Sequence, residues 1–424
     1  MNSTELLKDL NARGIIEHQS ADLNTIFSKK RTVYLGVDPS ADSMQAGNLF
    51  VLMTLRRLAE AGNRVILLVG GGTGMIGDPR EKGERSLLDM KTVEKNKKAL
   101  RAQMQRIVGV HVTMVDNADW LLKLKLADFL RDTGKHFTVN ELIKRDIIKR
   151  RLETPDESIS YTEFTYALLQ GYDYFVLNKK YGCDLQIGGS DQWTNMLSGV
   201  ELIRKRSGNE AYVVSCPLVT DANGKKFGKS EGNAVWLDAK KTSPFTFYQF
   251  WLNQPDEMVE TYLKFYTFMS VREIEALVEL HRRNPGRRDA QKMLAYLVTE
   301  IVHGEAAASS AESVSEVLFG GKSIAELSDK ARAELLADVE NIPSLKISEK
   351  ELDGEYGIIE ALVASELCSS KGDARRLIEG GGVSLNDEKV QTADMALEAD
   401  DFTEGLALLR RGKQLVVLVI EKKR

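Results

Sequence analysis

Two short stretches of this chain carry residue types whose spacing could do chemistry. Gly189-Ser190-Asp191-Gln192-Trp193 is a box of the kind that closes a nucleotide and amino-acid pocket. Lys226-Phe227-Gly228-Lys229-Ser230 puts two lysines at i and i+3 in a Gly-containing loop, after a Thr220-Asp221-Ala222-Asn223-Gly224 turn. Flexible cations on a loop that can close suit the negative charge that develops on a leaving polyphosphate. A Lys-x-x-Lys pair alone is ordinarily a solvated turn. Its place downstream of the first box gives it weight.

A third constellation is Tyr166, Gln170 and Asp173. At i, i+4 and i+7 of a helix they share one face. A phenol, an amide and a carboxylate on one line make a poor core, because each needs a hydrogen-bond partner once buried. The alternative is a solvated helix face, and the neighbouring boxes favour a site.

The elements that must position these groups read as α/β. Val33–Val37 is a short apolar strand, broken by Asp38-Pro39-Ser40, and an apolar periodic run from Gly47 to Ala61 predicts a helix ending before Gly62-Asn63. Val65–Val69 is a second such strand, running into Gly70-Gly71-Gly72-Thr73-Gly74. Strand, helix, strand in that order predicts a right-handed crossover and a parallel sheet. Val110–Val115 and Tyr212–Val219 are further strand candidates. We therefore expect a doubly wound, Rossmann-like parallel-sheet domain over 1–239, then a helical domain over 240–320. Within the latter, Thr246-Phe247-Tyr248-Gln249-Phe250-Trp251 reads as core. The stretch 321–354, around Pro343, reads as a linker region. A small α+β domain follows over 355–424, with helices from Ile358 and Gly372, a Gly380-Gly381-Gly382 turn, and short strands ending in Gln414–Ile420.

Bulk properties bound the class. A chain of 424 residues, 43% hydrophobic and 28% charged, has ample core for two or three domains. Its net charge of −4 argues against a generally basic nucleic-acid coat but leaves room for a local basic face. The three cysteines, Cys183, Cys216 and Cys368, form no CxxC or Cys/His cluster, so neither zinc nor a disulfide framework is expected and a reduced, cytoplasmic setting fits. No apolar run is long enough to span a bilayer, and Met1–Arg13 lacks the apolar core of a signal peptide.

In order and spacing, Gly77-Asp78-Pro79, Tyr161–Asp173 (YTEFTYALLQGYD), Gln186–Trp193 (QIGGSDQW) and the KFGKS loop together resemble the tyrosyl-tRNA synthetases, class I aminoacyl-tRNA synthetases. The resemblance implies a tyrosine–tRNA ligase that activates L-tyrosine with ATP and passes it to tRNA(Tyr). It implies that Tyr34 and Asp173 bind the substrate phenol, that Asp78, Tyr166 and Gln170 hold its α-ammonium, and that Gln192 lies near its carboxylate. Gly189 and Asp191 would contact the ATP ribose, with Gly36, Asp38, Ser40, Gly47, Thr73, Lys229 and Ser230 also at pocket positions. Lys226 and Lys229 would meet the pyrophosphate, helped by Lys82 and Arg85. Mg²⁺ is implied by ATP chemistry, and a homodimer by the family.

One signature of the class departs from its pattern. Where class I enzymes carry His-x-Gly-His at the start of the first helix, this chain reads Gln45-Ala46-Gly47-Asn48. Gln and Asn keep an N–H donor like that of a neutral imidazole, and the helix N-terminus still offers amides to a phosphate. The competing reading is a non-catalytic RNA-binding paralogue. Tryptophan activation is disfavoured, because Tyr34 and Asp173 have no role opposite an indole.

The last unit resembles the S-four-like RNA-binding fold, through Ser370–Ile378 (SKGDARRLI) and Gly382–Asn386. Lys371, Arg375 and Arg376 would present cations to a phosphate backbone, extended by Arg410, Arg411 and Lys413. The bland alternative is a solvated helix with a basic edge.

Overall fold

The structure is a computed structural model that describes residues 2–79, 88–109, 111–222, 224, 227, 229–230, 233–354 and 356–421. It divides into two compact units, Met1–Lys241 with Gln254–Leu294, and Thr242–Asn253 with Ala295–Arg424.

The first unit is built on a six-stranded sheet of β1 (His18–Gln19), β2 (Thr32–Val37), β3 (Arg64–Val69), β4 (Val112–Asp116), β5 (Leu185–Gly189) and β6 (Tyr212–Cys216). The order across the sheet is β1-β6-β5-β2-β3-β4. β2 to β6 run parallel, and β1 closes one edge antiparallel to β6. Strands covered on both faces need near-continuous apolar runs. Val33, Leu35, Val65, Leu67 and Val69 are accordingly buried. β6 stops at Cys216, short of the expected Val219, because Pro217 has no N–H to continue a ladder. The predicted helix spans Ala46–Glu60, with Gln45 at its N-cap.

β2 and β5 are neighbours, and the connections that follow them run in opposite directions along the sheet, β2 to β3 and β5 to β6. Such a switch point opens a crevice at the carboxyl ends of the strands. The helix Tyr161–Tyr181 crosses that region, capped by Ser160, whose hydroxyl accepts from the Glu163 N–H at 3.2 Å. The helices Asp256–Tyr266 and Val271–Arg283 belong to this unit too, and the Phe50 and Phe265 rings stack at 4.2 Å.

In the second unit, the helix Pro244–Leu252 buries Phe245, Phe247, Tyr248 and Trp251, so the aromatic cluster is core. Asp338 fixes its start, accepting from Ser243 Oγ at 2.6 Å and Thr246 Oγ1 at 2.9 Å. The two-stranded pair of the first unit, β7 (Lys229–Ser230) and β8 (Asn233–Ala234), precedes this helix in the chain. A five-stranded sheet carries the rest, from β9 (Ser344–Ser348), β10 (Val383–Leu385), β11 (Glu388–Lys389), β12 (Leu406–Arg411) and β13 (Gln414–Glu421), in the order β11-β10-β12-β13-β9. The stretch read as a linker contributes the helix Asp329–Ala337 and strand β9, which pairs parallel with β13. The stretch read as one helical domain is divided between the two units.

Candidate active site

The crevice at the switch point holds a cavity of about 350 Å³, lined along the carboxyl ends of β2 and β5, the start of the Ala46–Glu60 helix and one face of the Tyr161–Tyr181 helix. Tyr166, Gln170 and Asp173 all line it, as the i, i+4, i+7 spacing requires. Tyr34, Gly36, Asp38, Ser40, Gln45, Gly47, Asn48, Thr73, Asp78, Gly189, Asp191 and Gln192 line it as well. Lys82, Arg85 and Lys226 lie outside the described residues, and Lys229 and Ser230 form β7.

At one end sits Asp173, 3% exposed, accepting from Asn117 Nδ2 at 2.9 Å and Trp120 Nε1 at 2.7 Å. Burial pushes its carboxyl up to about 8, against the lowering effect of those two donors. Tyr34, 1% exposed, has a hydroxyl with no hydrogen-bond partner among the described residues. Burial, then the charge of Asp173, drives that phenol well above its ordinary value. A buried donor left unpaired costs roughly 1–3 kcal/mol. Such a cost is tolerated where a ligand completes the bond.

Asp38 accepts from Thr73 Oγ1 at 2.6 Å and from the Tyr166 hydroxyl at 2.8 Å. Asn117 Nδ2 also reaches Thr73 Oγ1 at 2.9 Å, so one amide ties Asp38's partner to Asp173. The glycine run after β3 makes room for this: a Cβ on Gly70 would sit 2.0 Å from Asp38 Oδ1. Asp78 accepts from Gln192 Nε2 at 2.8 Å and Asn195 Nδ2 at 3.0 Å. Burial raises its carboxyl to about 6, opposed by those bonds and assisted by Asp38 and Asp191. Gln170 Oε1 is buried without a partner among the described residues.

The other end is the N-terminus of the Ala46–Glu60 helix. Asn48 Oδ1 accepts from the Gln45 backbone N–H at 3.1 Å, which turns the Asn48 NH₂ away from that bond and leaves it a donor. The segment beyond the lysine loop zips onto the helix entrance: Ala46 N–H donates to Val235 O, and Leu237 N–H to Met44 O, each at 2.9 Å. Phe227, inside the loop, packs its ring 4.7 Å from Tyr262, and its carbonyl lies 3.0 Å from where a Gly47 Cβ would be. The close approach that Gly47 permits is made here by the loop's own backbone.

Asn117, Trp120 and Asn195 escape a sequence reading. Asn117 and Trp120 follow β4, at the strand ends where ligands gather, which is a usable signal. Asn195 stands three residues past Gln192 on the same helical turn.

In the second unit, Arg375 and Arg376 are exposed on the Lys371–Glu379 helix, and Lys371 pairs with Glu360 at 2.5 Å. Arg410 does not extend that face. Its guanidinium donates to Leu318 O at 3.0 Å and Val317 O at 2.8 Å and pairs with Asp387 at 3.1 Å. Arg411 is likewise turned onto Leu367 O at 2.5 Å. The pairing of β12 with β10 and β13 carries both side chains to groups of their own unit.

A parallel sheet with this switch point, a helix N-terminus facing the cavity and a lysine loop beside it defines a class I aminoacyl-tRNA synthetase catalytic domain. The family described as tRNA synthetases class I (W and Y) matches residues 28–320, and the tyrosine–tRNA ligase SYY-like C-terminal domain matches 334–419. The chain belongs to the tyrosyl-tRNA synthetase family. It is 46% identical to a tyrosine–tRNA ligase of Roseiflexus castenholzii, over 97% of this chain and 98% of that one. With a tyrosine–tRNA ligase 1 of Vibrio parahaemolyticus the identity is 42%, over 98% and 99%. Among solved structures, a C-terminally truncated Aspergillus nidulans mitochondrial tyrosyl-tRNA synthetase superposes with a TM-score of 0.67 at 32% identity, covering 74% of this chain and 94% of that one.

Proposed function

We propose that the cavity seats L-tyrosine with its phenol between Tyr34 and Asp173, its ammonium against Asp78, Tyr166 and Gln170, and its carboxylate by Gln192. The ATP phosphates then lie toward the Gln45–Asn48 helix start. The chain's activity is tyrosine–tRNA ligation, with ATP as substrate. The observation that carries the residue assignment is the buried Tyr34 hydroxyl, without a partner among the described residues, beside a buried carboxylate whose other contacts are both donors. That end asks for a ligand hydroxyl, which phenylalanine lacks. A site built to bond a hydroxyl rejects the analogue without it, a rule for which this family is itself the standing example.

The tyrosine carboxylate oxygen bonds to the α-phosphorus of ATP, and the bond to the bridging oxygen of pyrophosphate breaks. Because the carboxylate is already ionised near pH 7, no general base is needed. Rate comes from positioning, and from donors aimed at the leaving pyrophosphate. The helix amides, Gln45, Asn48 and the lysine loop fill that role. In the second step a terminal ribose hydroxyl of tRNA attacks the tyrosyl carbonyl. It loses its proton, and AMP departs. Among the described residues no three His, Cys, Asp or Glu side chains gather as a metal site. Mg²⁺ in this reading arrives on the nucleotide.

Two copies form the working assembly in this reading. Leu122, Leu126, Val139, Leu152 and Tyr161, each more than half exposed, all fall within one stretch of the first unit, where this reading looks for the contact between copies. Lys371, Arg375 and Arg376, with Lys413, are exposed cations this reading offers to tRNA.

Tyrosine-dependent exchange of labelled pyrophosphate into ATP tests the reading. Exchange with tyrosine and none with phenylalanine is expected, with Gln45→His changing the rate but not the selectivity. No exchange in the native sequence would overturn it.

A further inference from the structure

We propose that Asn195, oriented by Arg145, is the positioning residue that presents Asp78 to the substrate's ammonium and locks Gln192 alongside it. The proposal rests on the reading that Asp78 receives that ammonium.

The geometry is a relay of three donors. Arg145, at the N-cap of the Asp146–Glu153 helix, donates from Nη1 to Asn195 Oδ1 at 2.8 Å and from Nη2 to Ser198 Oγ at 2.5 Å. A guanidinium only donates, so the Asn195 amide must turn its oxygen to Arg145 and its NH₂ the other way. That NH₂ meets Asp78 Oδ1 at 3.0 Å and Gln192 Oε1 at 3.3 Å. Gln192, its oxygen thus engaged, donates from Nε2 to Asp78 Oδ2 at 2.8 Å. A single arginine on a distant helix therefore fixes which end of two amides faces one carboxylate. Each Asp78 oxygen keeps a lone pair for an incoming ammonium, so the relay holds the carboxylate without filling it.

The relay also has an electrostatic consequence. The charged and titratable groups around Asp78 are Asp38 and Asp191, which oppose its ionisation, Tyr166, and Arg145, which favours it. Across a second cavity, of about 400 Å³, that Asp78, Arg145 and Asn195 also line, stand His18, Arg150 and Glu163. The Asn195 bond is one of the influences that hold the Asp78 carboxyl down to about 6. Removing it raises the pH at which Asp78 gains its charge.

The test compares tyramine with 4-ethylphenol, which differ by the ammonium alone, in ligand-detected NMR titrations of the full chain. In Asn195→Leu the preference for tyramine is expected to fall about tenfold or more, with 4-ethylphenol affinity within about twofold of native. The midpoint of tyramine binding against pH should rise by about one unit. Arg145→Met, on a different helix, should move both readouts in the same direction and by less, which covers the case of an unfolded Asn195 variant. A merely structural loss would weaken both phenols equally and leave the midpoint in place, and would overturn the proposal. Asp78→Asn separates the two levels. If it abolishes the tyramine preference while Asn195→Leu and Arg145→Met do not, the relay is wrong and the ammonium site stands. If Asp78→Asn also leaves the preference intact, the ammonium reading fails with it.

Discussion

At the tyrosine end of the cavity, Asp173, Asp38 and Asp78 each have both carboxylate oxygens engaged by side chains of the same unit. At the helix end, among the described residues, the Asn48 side chain reaches the neighbouring Gln45 backbone, Phe227 packs on Tyr262, and the Val235–Leu237 segment bonds to the helix entrance. In the proposed reading the two ends hold different kinds of ligand group. A phenol and an ammonium are recognised by their fixed positions, so the protein gains from ordering its carboxylates beforehand. A pyrophosphate acquires charge during the reaction and leaves, so its donors belong on a segment that can close and reopen. On this reading Gln45 and Asn48 can stand where histidine is the class pattern, while a change at Asp173 is expected to be costly.

The largest effect that would break this contrast lies at the ordered end. Asp173→Ala removes a charged acceptor and strands the Trp120 and Asn117 donors, so kcat/KM for tyrosine in pyrophosphate exchange should fall about 10³-fold, equivalent to about 4 kcal/mol. A loss under tenfold would mean the phenol is read elsewhere. At the other end, Gln45→Ala removes one donor to the phosphates and should lower kcat about 10²-fold with tyrosine affinity unchanged. If affinity for tyrosine moves with it, the two ends are not separate. Next comes pH. If Asp78 holds the ammonium as proposed, it does so only when ionised, and its carboxyl is raised to about 6, so KM for tyrosine should climb about tenfold per unit as pH falls below that value and level off above it. The smallest effect is on stability. Tyr34→Phe deletes a buried hydroxyl that has no partner among the described residues, so the ligand-free protein should gain about 1 kcal/mol in denaturant unfolding while tyrosine binds about tenfold more weakly. A loss of stability instead would show that the hydroxyl is bonded within the protein.

Much of the ordered end was legible in the sequence because it is local. The i, i+4, i+7 face of Tyr166, Gln170 and Asp173 needs only a helix, and the Gly-Ser-Asp-Gln-Trp box and the strand of Tyr34 need only a crossover. Asn117 and Trp120 were not foreseen, although polar residues just past a strand's end are where this fold puts its contacts. Arg145 gave no signal, since its partner is 50 positions away on another helix. Strand β9 was missed because Ser344-Leu345-Lys346-Ile347-Ser348 is short and polar at both ends, and only pairing with β13 makes it a strand. The expectation that Arg410 faces RNA failed for a similar reason, as the carbonyls that hold it come from a helix far upstream.

The unpaired Tyr34 hydroxyl and Gln170 carbonyl have one further consequence, which concerns the lifetime of the protein and not its rate. If, in the proposed reading, bound tyrosine completes these buried polar atoms of the cavity, resistance to unfolding follows the logarithm of free tyrosine over its dissociation constant. Tyrosine scarcity then exposes more of the population to transient opening and proteolysis, and abundance protects it. Supply of the amino acid would in this way set how much of the enzyme persists to use it.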